Sequence, residues 1–188
     1  DIPPGSLHLA PGSALAIPVL TGDLDISAIG TVTETRGNRV WAFGHAMFGD
    51  GPTALPVATG YIYTVLPNLM QSFKLGASYQ MQGSLVSDEE TGIVARLGPA
   101  PATVPIQIRV HTASGAYDHT FHYQMATHPQ LTSEILGAAV VQSLTAQRQL
   151  PKEYTLHVTG SLAFNGTSLN INWRATPDQF SLQNILLP

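Results

Sequence analysis

The 188-residue chain contains no cysteine, and it carries unusually little charge. The first absence excludes disulfide bonds, thiolate nucleophiles and cysteine-bound metals. Charged residues make up 11% of the chain, against roughly 25% in typical soluble domains. Eight basic residues stand against twelve acidic ones, and the basic residues are scattered without runs. Nothing in this distribution favours binding of a nucleic-acid backbone, which depends on clustered Lys and Arg that displace counterions.

Long apolar runs are also absent. No stretch approaches the roughly 20 apolar residues that a membrane-spanning helix needs, so we expect no membrane span. A charged segment followed by an apolar one, as in a secretory leader, does not occur at the start. The chain begins at Asp1 without an initiator methionine, which we interpret as a mature product, a processed piece or an excised fragment. The low charge and the reliance on Thr, Ser, Asn, Gln and Gly are typical of β-proteins that act outside the cytoplasm.

The distribution of proline and glycine predicts the domain organisation. Residues 1–13 contain three prolines and two glycines, which predicts an extended arm or linker. Residues 14–175 are long enough for a single β-rich domain with its own core. Residues 176–188 are interpreted as a C-terminal tail.

Short runs of β-branched and aromatic residues, separated by turn residues, predict a mainly β fold. Arg36-Gly37-Asn38 and Ala113-Ser114-Gly115 are typical hairpin connections. Tyr61, Tyr63 and Val65 share one face of a predicted strand and are interpreted as core or interface residues. The predicted strands cover residues 14–20, 26–35, 39–43, 59–66, 72–75, 79–86, 92–97, 104–112, 117–125, 153–164 and 169–174.

One segment has helical rather than strand periodicity. Between residues 132 and 149, apolar side chains recur at steps of three and four, which predicts an α-helix. Thr132 or Ser133 can cap its N-terminus, and Pro151 limits its continuation. The sequence therefore predicts an antiparallel β-barrel or β-sandwich with one α-helix.

His45 is the strongest candidate for a functional side chain. A predicted strand runs into Gly44-His45 and breaks at once into a loop that contains Gly49-Asp50-Gly51. This pattern presents an imidazole at the end of a hairpin, where a side chain that titrates near neutral pH suits a general base. The alternative is a structural histidine in a β-turn, hydrogen-bonded to the backbone.

Four further histidines, His111, His119, His122 and His128, invite a metal-site interpretation. His119 and His122 are three residues apart on a predicted strand and therefore point to opposite faces. His111 and His119 can be neighbours across a hairpin, which gives at most two ligands. We expect neither a metal site nor a cofactor.

Several motifs together resemble the SpoIVB-type serine peptidases, in particular the SpoIVB peptidase domain of large bacterial proteins. The resemblance is dense over about residues 11–97 and weak beyond them. The motifs are Pro11-Gly12-Ser13-Ala14, Thr21-Gly22-Asp23-Leu24-Asp25, Ile29-Gly30-Thr31-Val32-Thr33, Ala42-Phe43-Gly44-His45, Leu55-Pro56, Ser72-Phe73-Lys74-Leu75-Gly76, and Gly83 through Asp88 to Gly92-Ile93.

This resemblance implies a chymotrypsin-like serine peptidase in which His45 matches the general base. Gly44 and Gly49 would belong to the supporting loop, and Asp50 and Asp88 are the nearest candidates for an orienting carboxylate. Asp50 lies between two glycines, which favours a turn role instead. Asp88 opens Asp88-Glu89-Glu90, which most simply forms a solvated turn.

The sequence departs from the family at the nucleophile. The family's Gly-x-Ser-Gly-Ser-Pro motif is absent from these 188 residues, and the four Gly-Ser pairs lack its flanking residues. One hypothesis is therefore the histidine-bearing half of a bacterial secreted, periplasmic or envelope peptidase. It would act on polypeptide when a serine-bearing segment, such as an N-terminal part of the same precursor, docks against it. The other hypothesis is a non-catalytic β-rich binding or structural module of such a protein.

Overall fold

The computed structural model describes residues 8–67, 73–146, 152–164 and 166–176. These residues form ten β-strands and one α-helix. In chain order the elements are β1 (Ala14–Gly22), β2 (Ile26–Arg36), β3 (Arg39–Ala42), β4 (Gly51–Leu66), β5 (Phe73–Glu89), β6 (Gly92–Leu97), β7 (Val104–His111), β8 (Asp118–Met125), α1 (Thr132–Thr145), β9 (Leu156–Phe164) and β10 (Thr167–Ala175).

Eight of the strands form one antiparallel sheet with the order β2-β3-β6-β5-β4-β1-β8-β7. An additional pairing between β1 and β2 links six of the strands into a ring. The β1–β4 ladder contains only the pairs Leu15–Thr59 and Ala16–Ala58, and the sheet does not close into a clear barrel. Strands β9 and β10 form a separate two-stranded sheet. The predicted fold class, mainly β and antiparallel with one helix, is confirmed in the described residues.

Two long strands differ from the prediction. Strand β4 begins at Gly51 and runs through Pro52 and Pro56, whereas the sequence pattern predicts a start at residue 59. Register shifts in the β4–β5 ladder accompany the prolines, which cannot donate ladder hydrogen bonds. Strand β5 is continuous where two strands are predicted. A Cβ at Gly76 would overlap the carbonyl oxygen of Tyr61, so this glycine permits close strand approach and does not interrupt the strand.

The buried apolar side chains form two clusters. The first lies within the ring of strands and includes Leu15, Ile17, Val32, Val40, Leu55, Val57, Leu85 and Ile93. The second lies between α1 and the strands β1, β7 and β8, and includes Val19, Leu20, Phe121, Tyr123, Met125, Ile135 and Ala139. Strand β1 contributes to both clusters, since its residues are buried from Leu15 to Leu20.

Helix α1 begins at Thr132 as predicted and ends at Thr145, while residues 147–149 of the predicted span lie outside the described residues. The predicted capping by Thr132 or Ser133 is wrong, because the N-cap is Leu131 and no side chain caps this end. Thr132 is already the first helical residue. Its hydroxyl accepts the His128 N–H at 2.8 Å and donates to the His128 carbonyl at 2.7 Å, which closes the preceding turn.

The predicted arm and tail fall mostly outside the described residues, which exclude 1–7 and 177–188. At the inner end of the arm, the Gly12 N–H donates to the Val32 carbonyl and the Val32 N–H donates to the Ser13 carbonyl, each at 2.9 Å. Leu9 packs against the first core cluster. In the described part of the chain, no helix has the length and apolarity that a bilayer crossing requires.

A buried pair of hydroxyl groups joins α1 to β8. The Tyr123 hydroxyl lies 2.8 Å from Ser143 Oγ, and Ser143 Oγ donates to the Ala139 carbonyl at 2.7 Å. Because the Ser143 hydrogen is committed to that carbonyl, Tyr123 is the donor within the pair. Ser143→Ala therefore leaves a buried Tyr123 hydroxyl without an acceptor, which costs about 1–3 kcal/mol of unfolding free energy.

Tyr123→Phe is the matched comparison for this prediction. It removes one hydrogen bond but leaves Ser143 bonded to Ala139, and the expected cost is about 0.5–1.5 kcal/mol. Urea unfolding followed by circular dichroism measures both values. A larger loss for Tyr123→Phe than for Ser143→Ala would contradict this assignment of donor and acceptor.

Candidate functional site

The chain leaves the sheet through an unusual turn directly after β3. Phe43 has a φ of 75° and Gly44 a φ of 77°, so two successive residues adopt the left-handed conformation. This conformation is unfavourable for a bulky non-glycine residue. Phe43 is held there because its N–H donates to the Thr31 carbonyl at 3.0 Å and its ring packs over Gly30. The turn ends β3, and the following residue, His45, is exposed.

His45 is exposed, and its Nδ1 lies 2.6 Å from the Ala46 carbonyl oxygen. A carbonyl oxygen can only accept, so Nδ1 carries the hydrogen and Nε2 of the neutral ring keeps a lone pair. The Phe43 ring lies beside the imidazole, with ring centroids 5.7 Å apart. The arrangement therefore presents a proton acceptor at the surface, on a ring whose tautomer is fixed by a backbone contact.

Asp88, at the end of β5, holds the loop that carries His45. Its Oδ1 accepts the Met47 N–H at 2.7 Å, and its Oδ2 accepts the N–H groups of Phe48 and Gly49 at 2.6 and 2.9 Å. Asp88 is 1% exposed, so the prediction of a solvated turn is wrong at this residue. The physical reason is that residues 47–49 fold over the carboxylate and replace its hydration with backbone N–H donors.

The protonation of Asp88 reflects two opposing influences. Burial by itself raises the pKa of the Asp88 carboxyl group. Backbone N–H donors from Phe48, Met47, Gly49 and Asp50 favour the ionised form and outweigh burial, so the pKa lies below its ordinary value. Asp88 is therefore an anion held by the loop at neutral pH.

Asp50 binds His128 at the C-terminal end of the same loop. Its Oδ2 lies 2.8 Å from Nε2 of His128, which is 4% exposed. The Gln130 N–H donates to Nδ1 of His128 at 3.3 Å, so Nε2 carries the hydrogen that is donated to Asp50. The Phe48 ring lies against His128, with centroids 5.2 Å apart. Sequence reasoning missed His128 as a partner of this loop, because 78 positions separate it from Asp50 and no local pattern relates the two.

All five predicted site residues either lie in the loop that carries His45 or bind that loop. They differ in the contacts that they make. Gly44 and Gly49 adopt positive φ values of 77° and 79°, which glycine tolerates without a Cβ clash. Asp50 and Asp88 bind the loop, and among the hydrogen bonds of the described residues neither carboxylate contacts His45. The orienting contact to His45 comes from the Ala46 carbonyl.

The remaining histidines are dispersed. His119 packs edge-to-face on Phe121 at 4.5 Å, and His122 lies within 3.4 Å of the Gln107 amide. His111 is at the end of β7, opposite Asp118. Across the described ranges, no group of three or more His, Cys, Asp or Glu side chains is placed to hold a metal ion.

An open groove of about 590 Å³ adjoins the His45 loop. It lies over β2, β3, β6 and the turn between β5 and β6, and Gly44, the neighbour of His45, is one of its lining residues. Its other lining residues include Glu34, Arg36, Trp41 and Glu89. The exposed imidazole is therefore adjacent in sequence to the wall of a groove.

Comparisons with models of known protein families, with curated proteins and with solved structures find no match to this chain. The resemblance to SpoIVB-type peptidases therefore stays a prediction drawn from the motifs.

Proposed function

We propose that this chain is the histidine-bearing part of a SpoIVB-like serine peptidase, with His45 as the general base. The observation that carries the proposal is the exposed His45 ring, whose Nδ1 is committed to the Ala46 carbonyl. Nε2 is then the nitrogen that accepts the proton of a serine hydroxyl, as in serine peptidase chemistry. The serine comes from a segment outside these 188 residues, which contain no Gly-x-Ser-Gly-Ser-Pro motif.

The loop contacts support a rigid presentation of this base. A general base must stay within hydrogen-bond reach of the proton that it removes, so its loop must not drift. Asp88 binds three successive N–H groups of the loop, and Asp50 ties its far end to His128. The Ala46 carbonyl supplies the acceptor for Nδ1–H that a carboxylate supplies in a Ser-His-Asp triad.

The proposal includes a polypeptide substrate, cleaved by acyl transfer to the serine, and a bacterial secreted, periplasmic or envelope setting. The groove that is lined in part by Gly44, the residue before His45, gives an extended polypeptide a place to lie. The low charged content supports a setting outside the cytoplasm.

Labelling with a fluorophosphonate probe, which reacts with activated serines, tests the proposal. We expect no labelling of the 188-residue chain alone, because His45 has no nucleophile to activate. Adding a polypeptide that carries a Gly-x-Ser-Gly-Ser-Pro segment should give one adduct, on the serine of that segment. His45→Ala should slow this labelling by about 10⁴-fold or more, since removal of a triad member costs about 10⁴- to 10⁶-fold in kcat.

The matched control for this experiment is His122→Ala, which removes an exposed histidine on β8, outside the His45 loop. It should leave the labelling rate unchanged. A stoichiometric adduct on the chain alone would show that it contains its own nucleophile. Labelling that is insensitive to His45→Ala would exclude His45 as the base.

A second candidate function is a non-catalytic β-rich binding or structural module of a bacterial envelope or secreted protein. The observation that favours it is a set of exposed apolar side chains on the outer part of the β4–β5 ladder. The set comprises Tyr63, Val65, Leu66, Leu75, Tyr79 and Met81. Apolar side chains concentrated on one ribbon are typical of protein-binding surfaces. Absence of labelling with every serine-bearing segment, in a folded chain, would favour this candidate.

A further inference from the structure

Three arginines form a row across the sheet. Arg36 of β2 lies directly opposite Arg39 of β3, and Arg39 lies directly opposite Arg96 of β6. Val40 and Ala95, the adjacent residues on β3 and β6, are buried in the first core cluster, so the arginines point to the opposite, outer face of the sheet. All three arginines are exposed. The fold therefore brings Arg96, from a distant part of the sequence, beside the two arginines of the β2–β3 hairpin.

The positive charge of this arginine row is only weakly compensated. Strands β2, β3 and β6 contain a single acidic residue, Glu34, which lies 3.8 Å from Arg36 in an exposed pair. Among the described residues, Arg39 and Arg96 take part in no ion pair. Glu89 pairs with β6 four positions away from Arg96, which is about 13 Å along a strand. The row therefore carries a net positive charge, in a chain whose formal net charge is −4.

The three guanidinium groups repel each other in the free chain. Like charges directly opposite each other in a ladder are destabilising, and the Cβ atoms of such pairs are about 5 Å apart. Arg39 is subject to this repulsion from both sides, from Arg36 and from Arg96. A bound carboxylate neutralises the charge and accepts charge-assisted hydrogen bonds from the planar fork of an arginine. Binding of an anionic partner therefore stabilises the row.

We propose that the arginine row binds an acidic segment of a polypeptide partner, through the carboxylates of aspartate or glutamate. Trp41 and Val94 lie opposite each other in the next row of the same outer face, where both are half-buried. They give the segment an apolar surface beside the charges. A nucleic acid fits less well, because tight binding to its backbone uses about 6–10 phosphate contacts, more than three arginines supply.

The arginine row is separate from the proposed catalytic base. Arg39 begins β3, whereas His45 follows the other end of the same strand. Occupation of the row by an acidic segment requires neither a nucleophile nor a cleavage step. The inference therefore goes beyond the proposed function and does not rest on it.

A nuclear magnetic resonance titration of the isotope-labelled chain tests the inference, because it measures weak affinities and locates the binding surface. The probes are two acetylated and amidated pentapeptides, Glu-Ala-Glu-Ala-Glu and its glutamine counterpart. We expect an affinity about tenfold higher for the glutamate peptide, which corresponds to about 1.4 kcal/mol shared by three exposed ion pairs. Amide shifts should concentrate at Arg36, Arg39 and Arg96. The preference should fall below about twofold at about 1 M salt, which screens exposed charges.

Arg39→Gln should have two effects of opposite sign. It should reduce the preference for the glutamate peptide to less than about threefold, because the central cation is removed. It should also raise the melting temperature of the free chain by about 1–4 °C, because the repulsion across both ladders is relieved. Arg96→Gln should act in the same directions to a smaller extent. Arg174→Gln in β10 is the matched control, since it removes the same charge from an exposed strand position opposite His157 and should leave the preference unchanged.

Equal affinities for the two peptides, no binding of either, or amide shifts confined to another surface would overturn the inference. So would an unchanged preference or a lower melting temperature in Arg39→Gln, or an equal loss of preference in Arg174→Gln. An oligothymidylate of the same charge that binds more tightly than the glutamate peptide would assign the row to a nucleic-acid backbone instead. The titration contains no serine nucleophile. Glutamate-selective binding without fluorophosphonate labelling would therefore retain the arginine row and reject the peptidase proposal, and the opposite pair of results would do the reverse.

Discussion

Replacing Asp88 by asparagine should lower the free energy of unfolding by about 2–4 kcal/mol and loosen the loop that carries His45. The carboxylate accepts from Met47 through one oxygen and from Phe48 and Gly49 through the other. An amide of the same shape has one acceptor atom, and its NH2 group must face an N–H donor in either orientation. Charge-assisted bonds from the backbone are also replaced by weaker neutral ones.

Two measurements check this expectation. Urea unfolding gives the stability loss, and amide hydrogen exchange at Met47, Phe48 and Gly49 reports whether the loop opens locally. Glu90→Gln, two positions along on the exposed β5–β6 turn, is the control and should change stability by less than about 0.5 kcal/mol. Suppose that Asp88→Asn has the same urea midpoint as the wild type and that the amides of Met47, Phe48 and Gly49 stay protected from exchange. Asp88 then does not hold the loop.

The pH dependence of the same variant follows from the depressed pKa of Asp88. A carboxyl group with a lowered pKa in the folded state contributes stability that is fully present above its ordinary pKa of 3.8. This contribution is lost as the pH falls through the lower, folded-state pKa. The stability difference between wild type and Asp88→Asn should therefore be constant from neutral pH to about pH 5 and shrink below pH 4. A difference that grows on acidification would contradict the direction of the pKa shift.

Gly30→Ala should destabilise the fold by about 2–3 kcal/mol, as overpacking of a filled site does. Gly30 is buried in β2, and a Cβ built there would overlap the Phe43 ring. The ring packs against the first core cluster and must shift from its place there to make room for the methyl group. Since Phe43 begins the turn into His45, the substitution also displaces the imidazole. Thermal or urea unfolding measures the loss.

A double-mutant cycle with Phe43→Ala distinguishes this clash from a general effect on β2. Once the ring is removed, Gly30→Ala should cost less than about 0.5 kcal/mol, so the coupling energy approaches the full effect of the single substitution. Gly160→Ala in β9 is the control glycine, because a Cβ there meets nothing within 4 Å. A cycle with additive energies would show that Gly30 and Phe43 act independently.

Most strands could be predicted because their signals are local. The two-residue turn Gly37-Asn38 pairs Arg36 directly with Arg39, as the hairpin signal indicates, and Gly37 has the positive φ of 58° that this turn requires. The sequence pattern predicted too late a start for β4, because of its prolines, and a break in β5, because of Gly76. Their local preference for interruption was overridden by bulges and by close strand approach.

The contacts of the site were less accessible from the sequence. The exposed position of His45 at the end of a strand follows from its neighbours, since Gly44 and Gly49 indicate a loop on either side. The role of Asp88 does not, because the partners of its carboxylate lie about 40 positions earlier in the chain. A run of three acidic residues favours solvation unless a distant loop supplies donors. The bond between Asp50 and His128 is hidden for the same reason.

Strand β1 belongs to both core clusters, and it changes partner along its length. Its first half pairs with β4 near Leu15, and its second half pairs with β8 near Leu20. If either part of the sheet unfolds, the other part therefore loses the strand that contributes to its core. The described sheet should unfold as one cooperative unit, and a cut that separates β1 from the rest should leave no fragment that folds alone.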